Sequence, residues 1–230
     1  MKMNVTMNLW SWKELLYVLI LTLMAVPIVI EYGLFHYLLG LFENELYAGT
    51  ATGFAMSLIF LGGLYLIVLK PNHQSWKAFG VQSFAIKHWK FILWWTVILI
   101  VASILIVVGM SFLGIGTANS KTESLQSQMT LLNFVIAFVS AAIISPVYEE
   151  IFYRGFLYRF FSSRFGIIAG LLISSTIFTI VHIPTYNTLP VNFVSGLIFA
   201  WAFQKTGSVI PGIIIHGAFN GLAVILTSFA

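Results

Sequence analysis

The chain has 230 residues, of which 60% are hydrophobic and 8% are charged, whereas soluble domains are roughly 45–50% apolar and about 25% charged. This composition indicates one integral membrane domain over residues 1–230 and leaves no room for a separate soluble domain. The chain has a net charge of +4, seven acids that are all glutamates, and no cysteine. These counts exclude disulfides, thiol catalysis, Cys-ligated zinc and the chemistry of aspartyl intramembrane proteases.

Hydropathy predicts an all-α membrane protein, a polytopic bundle of about seven transmembrane helices. The predicted spans are 15–39, 47–69, 91–114, 131–152, 166–183, 190–204 and 208–228. We expect the first span to be retained, because no small-residue cleavage site accompanies it.

Most basic residues lie in short loops at one side of the predicted bundle. With the N-terminus inside, Lys121 is the one cation outside, and the others are Lys2, Lys13, Lys70, Lys77, Lys87, Lys90, Arg154, Arg159, Arg164 and Lys205. Since inner loops of membrane proteins are rich in Lys and Arg, this predicts an N-terminus inside and a C-terminus outside. The same pattern indicates membrane topology rather than nucleic-acid binding.

The first spans and their loops carry little that suggests chemistry. Glu31 and His36 are predicted to lie near the outer boundary of the first span, where polarity is tolerated, and we interpret them as structural. The loop 70–90 is basic and contains aromatic residues, which is typical of segments that lie on an anionic leaflet surface.

Two adjacent glutamates and an arginine interrupt the apolar sequence after Pro146, where ionisable groups are costly. Glu150 and Arg154 are at positions i and i+4 and are predicted to pair. Glu149 is rotated by about 100°, one helical step, and faces elsewhere. The sequence therefore predicts one carboxylate held by arginine and one available as a general base.

Polar groups in two later segments are candidates for the same site. His182 stands alone on its helix, and Glu149 is the candidate partner. His216 and Asn220 are at i and i+4, so they share one helix face, and their N–H groups suit a developing oxyanion. Asparagine is an uncommon zinc ligand. We predict one intramembrane catalytic cavity formed by Glu149, His182, His216 and Asn220.

Other protease motifs are missing or incomplete. No His-Glu-x-x-His occurs, which excludes the two-histidine zinc helix. Ser195-Gly196 lacks the first glycine of a Gly-x-Ser-Gly turn. Asn192, Ser195 and Gly196 are predicted to serve close helix packing.

The three motifs, in this order, resemble those of the CPBP family, the intramembrane endopeptidases that include CAAX prenyl proteases and bacteriocin-processing or bacteriocin-immunity (Abi) proteins. The matching residues are Glu149-Glu150-Ile151-Phe152-Tyr153-Arg154 for Glu-Glu-x-x-x-Arg, Phe178 to His182 for Phe-x-x-x-His, and His216 to Asn220 for His-x-x-x-Asn. The motifs lie in a core over 131–228, and residues 1–130 carry only a general hydrophobic similarity.

The resemblance implies a mostly helical fold with a cavity and peptide-bond hydrolysis near the cytosolic leaflet. The implied roles are water activation by Glu149 and His182, oxyanion stabilisation by His216 and Asn220, and support by Glu150 and Arg154. The implied partners are the lipid bilayer and a peptide substrate, prenylated or secreted. The short chain resembles a bacterial member, which implies the bacterial cell membrane.

Metal dependence stays open at this point. If a metal is used, residue type allows a zinc set of Glu149, Glu150, His182 and His216. The pairing of histidine with asparagine favours glutamate chemistry without a metal, so no cofactor is the favoured expectation.

Two other classes of function are compatible with the residues. A non-catalytic membrane regulator or bacteriocin-immunity protein would bind a peptide or a partner in the same cavity. Glu-His chains also relay protons in transporters, although no internal repeat of the kind found in many transporters is present.

Overall fold

The computed structural model describes residues 10–119, 122–123, 126 and 130–229, and these ranges contain helices and turns but no strand. The all-α prediction is therefore confirmed. Within these ranges five helices are long and apolar enough to cross a membrane, namely α1 (Trp12–Phe42), α2 (Glu45–Leu69), α3 (Ile86–Phe112), α4 (Leu131–Ile180) and α6 (Ile210–Ser228). Between the last two lies α5 (Leu189–Thr206).

The predicted count of seven spans is not confirmed. The predicted segment 131–152 and most of the segment 166–183 fall within α4, which ends at Ile180 and remains helical through the charged stretch between them. Gly166 interrupts α4 with φ 85° and ψ 168°, a conformation that glycine adopts readily. It divides α4 into a first arm, 131–165, and a second arm, 167–180.

Side-chain caps fix where α2 and α4 begin. The Asn44 side chain accepts a hydrogen bond from the Tyr47 amide at 3.1 Å, and the Thr130 hydroxyl accepts one from the Asn133 amide at 3.1 Å. Each cap satisfies a backbone donor that the first helical turn would leave unpaired. The Tyr47 hydroxyl also donates to the Asn133 side chain at 2.9 Å, so the two helix starts lie side by side.

The first arm of α4 changes helical type on both sides of the glutamates. Ser140–Ile144 and Ile151–Tyr158 are π-helical, and Ser145–Glu150 between them is α-helical. A π segment is a local departure from α geometry that is frequent at functional sites. The helical register therefore changes immediately before and immediately after the residues predicted to do chemistry.

The loop between α2 and α3 packs against one end of the bundle, and its predicted position on the leaflet surface stays a prediction. Phe79, at its centre, is fully buried. Arg159 of α4 donates to the Ala78 carbonyl oxygen, and the Ser208 hydroxyl donates to that of Gln82 at 2.5 Å. These side chains satisfy loop carbonyl groups, so the loop is part of the folded core.

The opposite end of the bundle is closed by a different set of loops. The Asn187 side chain, before α5, donates to the carbonyl oxygen of Gly116, after α3, at 3.0 Å. Lys70 and Lys77 lie in the loop that contains Phe79, and Arg159 contacts this loop. Arg154, which the threading placed on the inner side with them, is instead buried within α4. Lys2 and Lys121 lie outside the described residues, and the orientation in the bilayer stays a prediction.

Candidate active site

Glu150 and Arg154 form the predicted pair on the first arm of α4. Arg154 Nη1 lies 2.8 Å from Glu150 Oε1, and both side chains are almost completely buried. The i, i+4 spacing places the two groups on one helix face. An isolated charge would be strongly destabilising when buried this completely. Glu150 and Arg154 can therefore be buried here only as a pair.

Arg154 is also held by the second arm of α4 and by α5. Its Nη2 donates to the Gly196 carbonyl oxygen at 3.3 Å. Its guanidinium carbon lies 4.5 Å from the centre of the Phe178 ring and 5.0 Å from that of Phe199. Aromatic faces attract cations, so the arginine links three helical segments around the carboxylate.

His216 of α6 lies between the two glutamates. Its Nδ1 is 3.0 Å from Glu150 Oε1 and its Nε2 is 3.8 Å from Glu149 Oε2. A carboxylate only accepts hydrogen bonds, so Nδ1 carries the proton directed at Glu150. The distance on the Glu149 side exceeds a hydrogen bond. The imidazole of His216 thus hydrogen-bonds to Glu150 and faces Glu149 at a longer distance.

The two glutamates differ in exposure. The Glu150 side chain is 0% exposed and the Glu149 side chain is 14% exposed. Glu150 Oε1 already contacts Arg154 and His216. Glu149 is therefore the carboxylate that a substrate or a water molecule can reach.

His182 lies just after the second arm of α4. Its Nδ1 is 2.7 Å from the Phe178 carbonyl oxygen, which can only accept, so a neutral ring carries its proton on Nδ1 and presents Nε2 as an acceptor. The Phe178 ring lies between the two histidines, with ring centres 4.8 Å from His182 and 6.0 Å from His216. The predicted pairing of His182 with Glu149 stays a prediction.

Asn220 faces the first arm of α4. Its Nδ2 donates to the Ala141 carbonyl oxygen at 3.0 Å. An amide nitrogen has two hydrogens, and this bond uses one of them. The predicted oxyanion role of Asn220 thus depends on its second hydrogen and stays a prediction.

Glycines allow α6 to approach the first arm of α4 closely, a feature that the sequence reasoning missed. A Cβ atom on Gly212 would lie 2.7 Å from Glu150 Oε2, and one on Gly217 would lie 2.4 Å from the Ala142 carbonyl oxygen. The prediction of close packing is confirmed for Gly196, where a Cβ atom would lie 3.0 Å from that of Ser175. The sequence shows these glycines only as members of an apolar helix and does not indicate which residues they contact.

Gly212→Ala is expected to destabilise the fold by about 1–3 kcal/mol, the usual cost of overpacking. Its Cβ atom would lie 2.7 Å from Glu150 Oε2, and the contacts of Glu150 with Arg154 and His216 restrict how far that carboxylate can move. Thermal unfolding of the purified protein in detergent measures the effect. Gly53→Ala on α2 is the matched control, since a Cβ atom there meets nothing within 4 Å. Equal melting temperatures for Gly212→Ala and the control would refute the close approach.

The predicted catalytic cavity is not confirmed. An apolar hollow of about 560 Å³ lies where α2 meets the end of α1 and the first arm of α4. Its lining residues are Phe42, Tyr47, Thr50, Ala51, Phe54, Leu132, Ile136 and Ile144. None of the predicted site residues lines it.

The motif-bearing segment is similar to a known family. Residues 131–222 match the family model described as type II CAAX prenyl endopeptidase Rce1-like. Over these residues, which are less than half of the chain, the chain is similar to the Rce1-like family. The matched segment contains α4, α5 and the part of α6 that carries His216 and Asn220, whereas α1 to α3 lie outside it.

One curated relative also matches part of the chain. UPF0177 protein YbdI of Lactococcus lactis subsp. lactis (strain IL1403) is 28% identical over 92 residues, which are 38% of this chain and 47% of YbdI. The chain thus matches about half the length of that relative. No solved structure matches the chain. The similarity to the Rce1-like family, together with the apolar helices, indicates a membrane protein.

The zinc set that residue type allows consists of Glu149, Glu150, His182 and His216. Among the described residues no three His, Cys, Asp or Glu side chains are grouped so that they could hold a metal ion. Glu150 Oε1 is shared between Arg154 and His216, which a metal would have to displace. The side chains in this arrangement do not fit a metal site.

Proposed function

We propose that this chain is an intramembrane endopeptidase that hydrolyses a peptide bond of a peptide or lipid-associated protein. The observation that carries the proposal is the position of His216, buried between a Glu150 whose Oε1 contacts Arg154 and a partly exposed Glu149. Ionisable groups in apolar spans are functional by default. The Rce1-like match over the same residues supports a protease.

Glu149 acts as the general base in this proposal. It takes a proton from water as the water oxygen bonds to the carbonyl carbon of the substrate, which forms a tetrahedral intermediate. It then returns that proton to the amine nitrogen as the C–N bond breaks, so that one water is consumed per bond cut. A positioned base of this kind contributes about 10²–10⁴-fold. The exposure of Glu149, unlike that of Glu150, supports this role.

His216 and Asn220 stabilise the oxyanion of the intermediate. Because His216 Nδ1 is occupied by Glu150, donation to the oxyanion comes from Nε2 of a doubly protonated ring. Asn220 contributes the amide hydrogen that Ala141 does not use. Preorganised donors of this type contribute about 10²–10³-fold each.

His182 orients the attacking water. Its Nδ1 contact with the Phe178 carbonyl oxygen presents Nε2 as an acceptor toward a water hydrogen. Phe178 joins this imidazole to His216 through ring contacts. In this proposal His182, just after the second arm of α4, positions the water, and Glu149, on the first arm, deprotonates it.

The proposed setting is a bacterial cell membrane with the N-terminus inside and the C-terminus outside. The cations at the bundle end that contains Phe79 support this orientation. The proposed substrates are prenylated or secreted peptides that reach the site from the bilayer. The proposal includes neither a nucleic-acid partner nor a cofactor.

Cleavage by the purified protein in liposomes tests the proposal. Peptides with and without a C-terminal prenylcysteine are added, products are identified by mass spectrometry, and metal content is measured on the same sample. We expect cleavage that persists with a chelator and without stoichiometric metal. Cleavage that a chelator abolishes and zinc restores would contradict the metal-free mechanism. The absence of cleavage for every peptide would contradict the proposed function.

A further inference from the structure

Phe199 of α5 contacts both the guanidinium group of Arg154 on α4 and the imidazole of His216 on α6. Its side chain is 0% exposed. Its ring stacks on that of His216, with centres 4.6 Å apart and planes 19° apart. The same ring lies 5.0 Å from the guanidinium carbon of Arg154. No catalytic motif of the sequence includes this residue.

We infer that Phe199 is a positioning residue for His216, an inference that rests on the proposed function. A near-parallel stack fixes the plane of the imidazole, and that plane contains both ring nitrogens. Phe178 meets the same imidazole edge-on, at 87°. The two rings therefore set how His216 directs Nδ1 to Glu150 and Nε2 toward Glu149.

The stack also matters for charge. In the proposed mechanism His216 donates from Nε2 while Nδ1 stays bonded to Glu150, which requires the imidazolium form. An aromatic face attracts a cation most strongly when both are desolvated. Phe199 and His216 are both buried, so Phe199 stabilises the charged ring at the step in which the oxyanion forms.

Substitution of Phe199 separates positioning from packing. Phe199→Leu keeps apolar bulk and removes the ring, and Phe203→Leu is the matched control. Phe203 is on the same helix one turn later and is also fully buried, but its ring contacts Tyr158 and Arg159 rather than His216. We expect both variants to lose thermal stability.

Catalysis is expected to distinguish the two variants. Phe199→Leu should lower kcat by on the order of 10²-fold, the effect of a small misplacement, with KM unchanged, whereas Phe203→Leu should keep the wild-type kcat. Equal kcat in both variants would overturn the inference. If Phe199→Leu does not fold, Phe199→Met, which is closer in volume, takes its place.

A spectroscopic measurement keeps this inference separate from the proposed function. In histidine-labelled protein, the ring current of Phe199 shifts the His216 carbon-bound ring protons upfield. Phe199→Leu is expected to move that resonance downfield, and Phe203→Leu is expected to leave it in place. An unmoved resonance in Phe199→Leu would refute the stack. This readout applies even if the wild-type protein cleaves no peptide.

Discussion

Glu149→Gln is expected to lower kcat for peptide cleavage by at least about 10²-fold, because the amide cannot take a proton from water. The change preserves the size and shape of a side chain that is 14% exposed. It also leaves the contacts of Glu150 with Arg154 and His216 intact. Initial rates in liposomes, beside a melting curve for each protein, measure the effect.

Glu43→Gln is the matched control for this substitution. Glu43 lies in the exposed turn between α1 and α2 and belongs to no part of the site. We expect it to cleave at the wild-type rate. If Glu149→Gln is folded and cleaves as fast as Glu43→Gln, Glu149 is not the base.

Arg154→Met is expected to lower the free energy of unfolding by about 3–5 kcal/mol, the usual cost of breaking a buried ion pair. The substitution keeps an unbranched apolar side chain but leaves Glu150 buried without its counter-charge, because Glu150 is 0% exposed. Among the described residues, His216 Nδ1 would then be the remaining hydrogen-bond partner of Glu150. Reversible unfolding in mixed micelles measures the loss.

The double variant Arg154→Met, Glu150→Leu shows whether charge is the cause. Replacing both members of a buried pair by apolar residues is often neutral or stabilising, so we expect the double variant to recover most of the lost stability. If the stability lost by the double variant equals the sum of the losses of Arg154→Met and Glu150→Leu, the electrostatic explanation is wrong and the cost comes from packing.

The sequence predicted the contacts that lie within one helix better than those between helices. The i, i+4 spacing was sufficient to predict the Glu150–Arg154 pair, because helical geometry determines which side chains share a face. Spacing contains no information about rotation between helices. It therefore did not indicate that His216 contacts Glu150 at 3.0 Å.

The number of spans could not be read from hydropathy for a related reason. Hydropathy predicted that a span ends at residue 152. In the structure the helix continues, and Arg159 donates to the Ala78 carbonyl oxygen and Arg164 to that of Trp10. These partners, distant in the sequence, allow α4 to continue to the bend at Gly166. A window of apolar residues does not show such contacts.

Residues that shape the site without carrying charge gave no signal in the sequence. Gly212 and Phe199 are ordinary members of apolar helices, and only the packing of α5 and α6 against α4 shows what they contact. Polar residues in apolar segments stand out because burying them is costly. The chemical groups were therefore predictable, whereas their supporting residues were not.

The most direct measurement of the central claim is peptide cleavage by the liposome-embedded protein in H₂¹⁸O, with the new carboxyl terminus weighed by mass spectrometry. Activation of water by Glu149 predicts one ¹⁸O atom in that carboxylate for the wild-type protein, and labelled product that forms at least about 10²-fold more slowly for Glu149→Gln. A labelled product formed equally fast by Glu149→Gln, or no product from the wild-type protein, would contradict it.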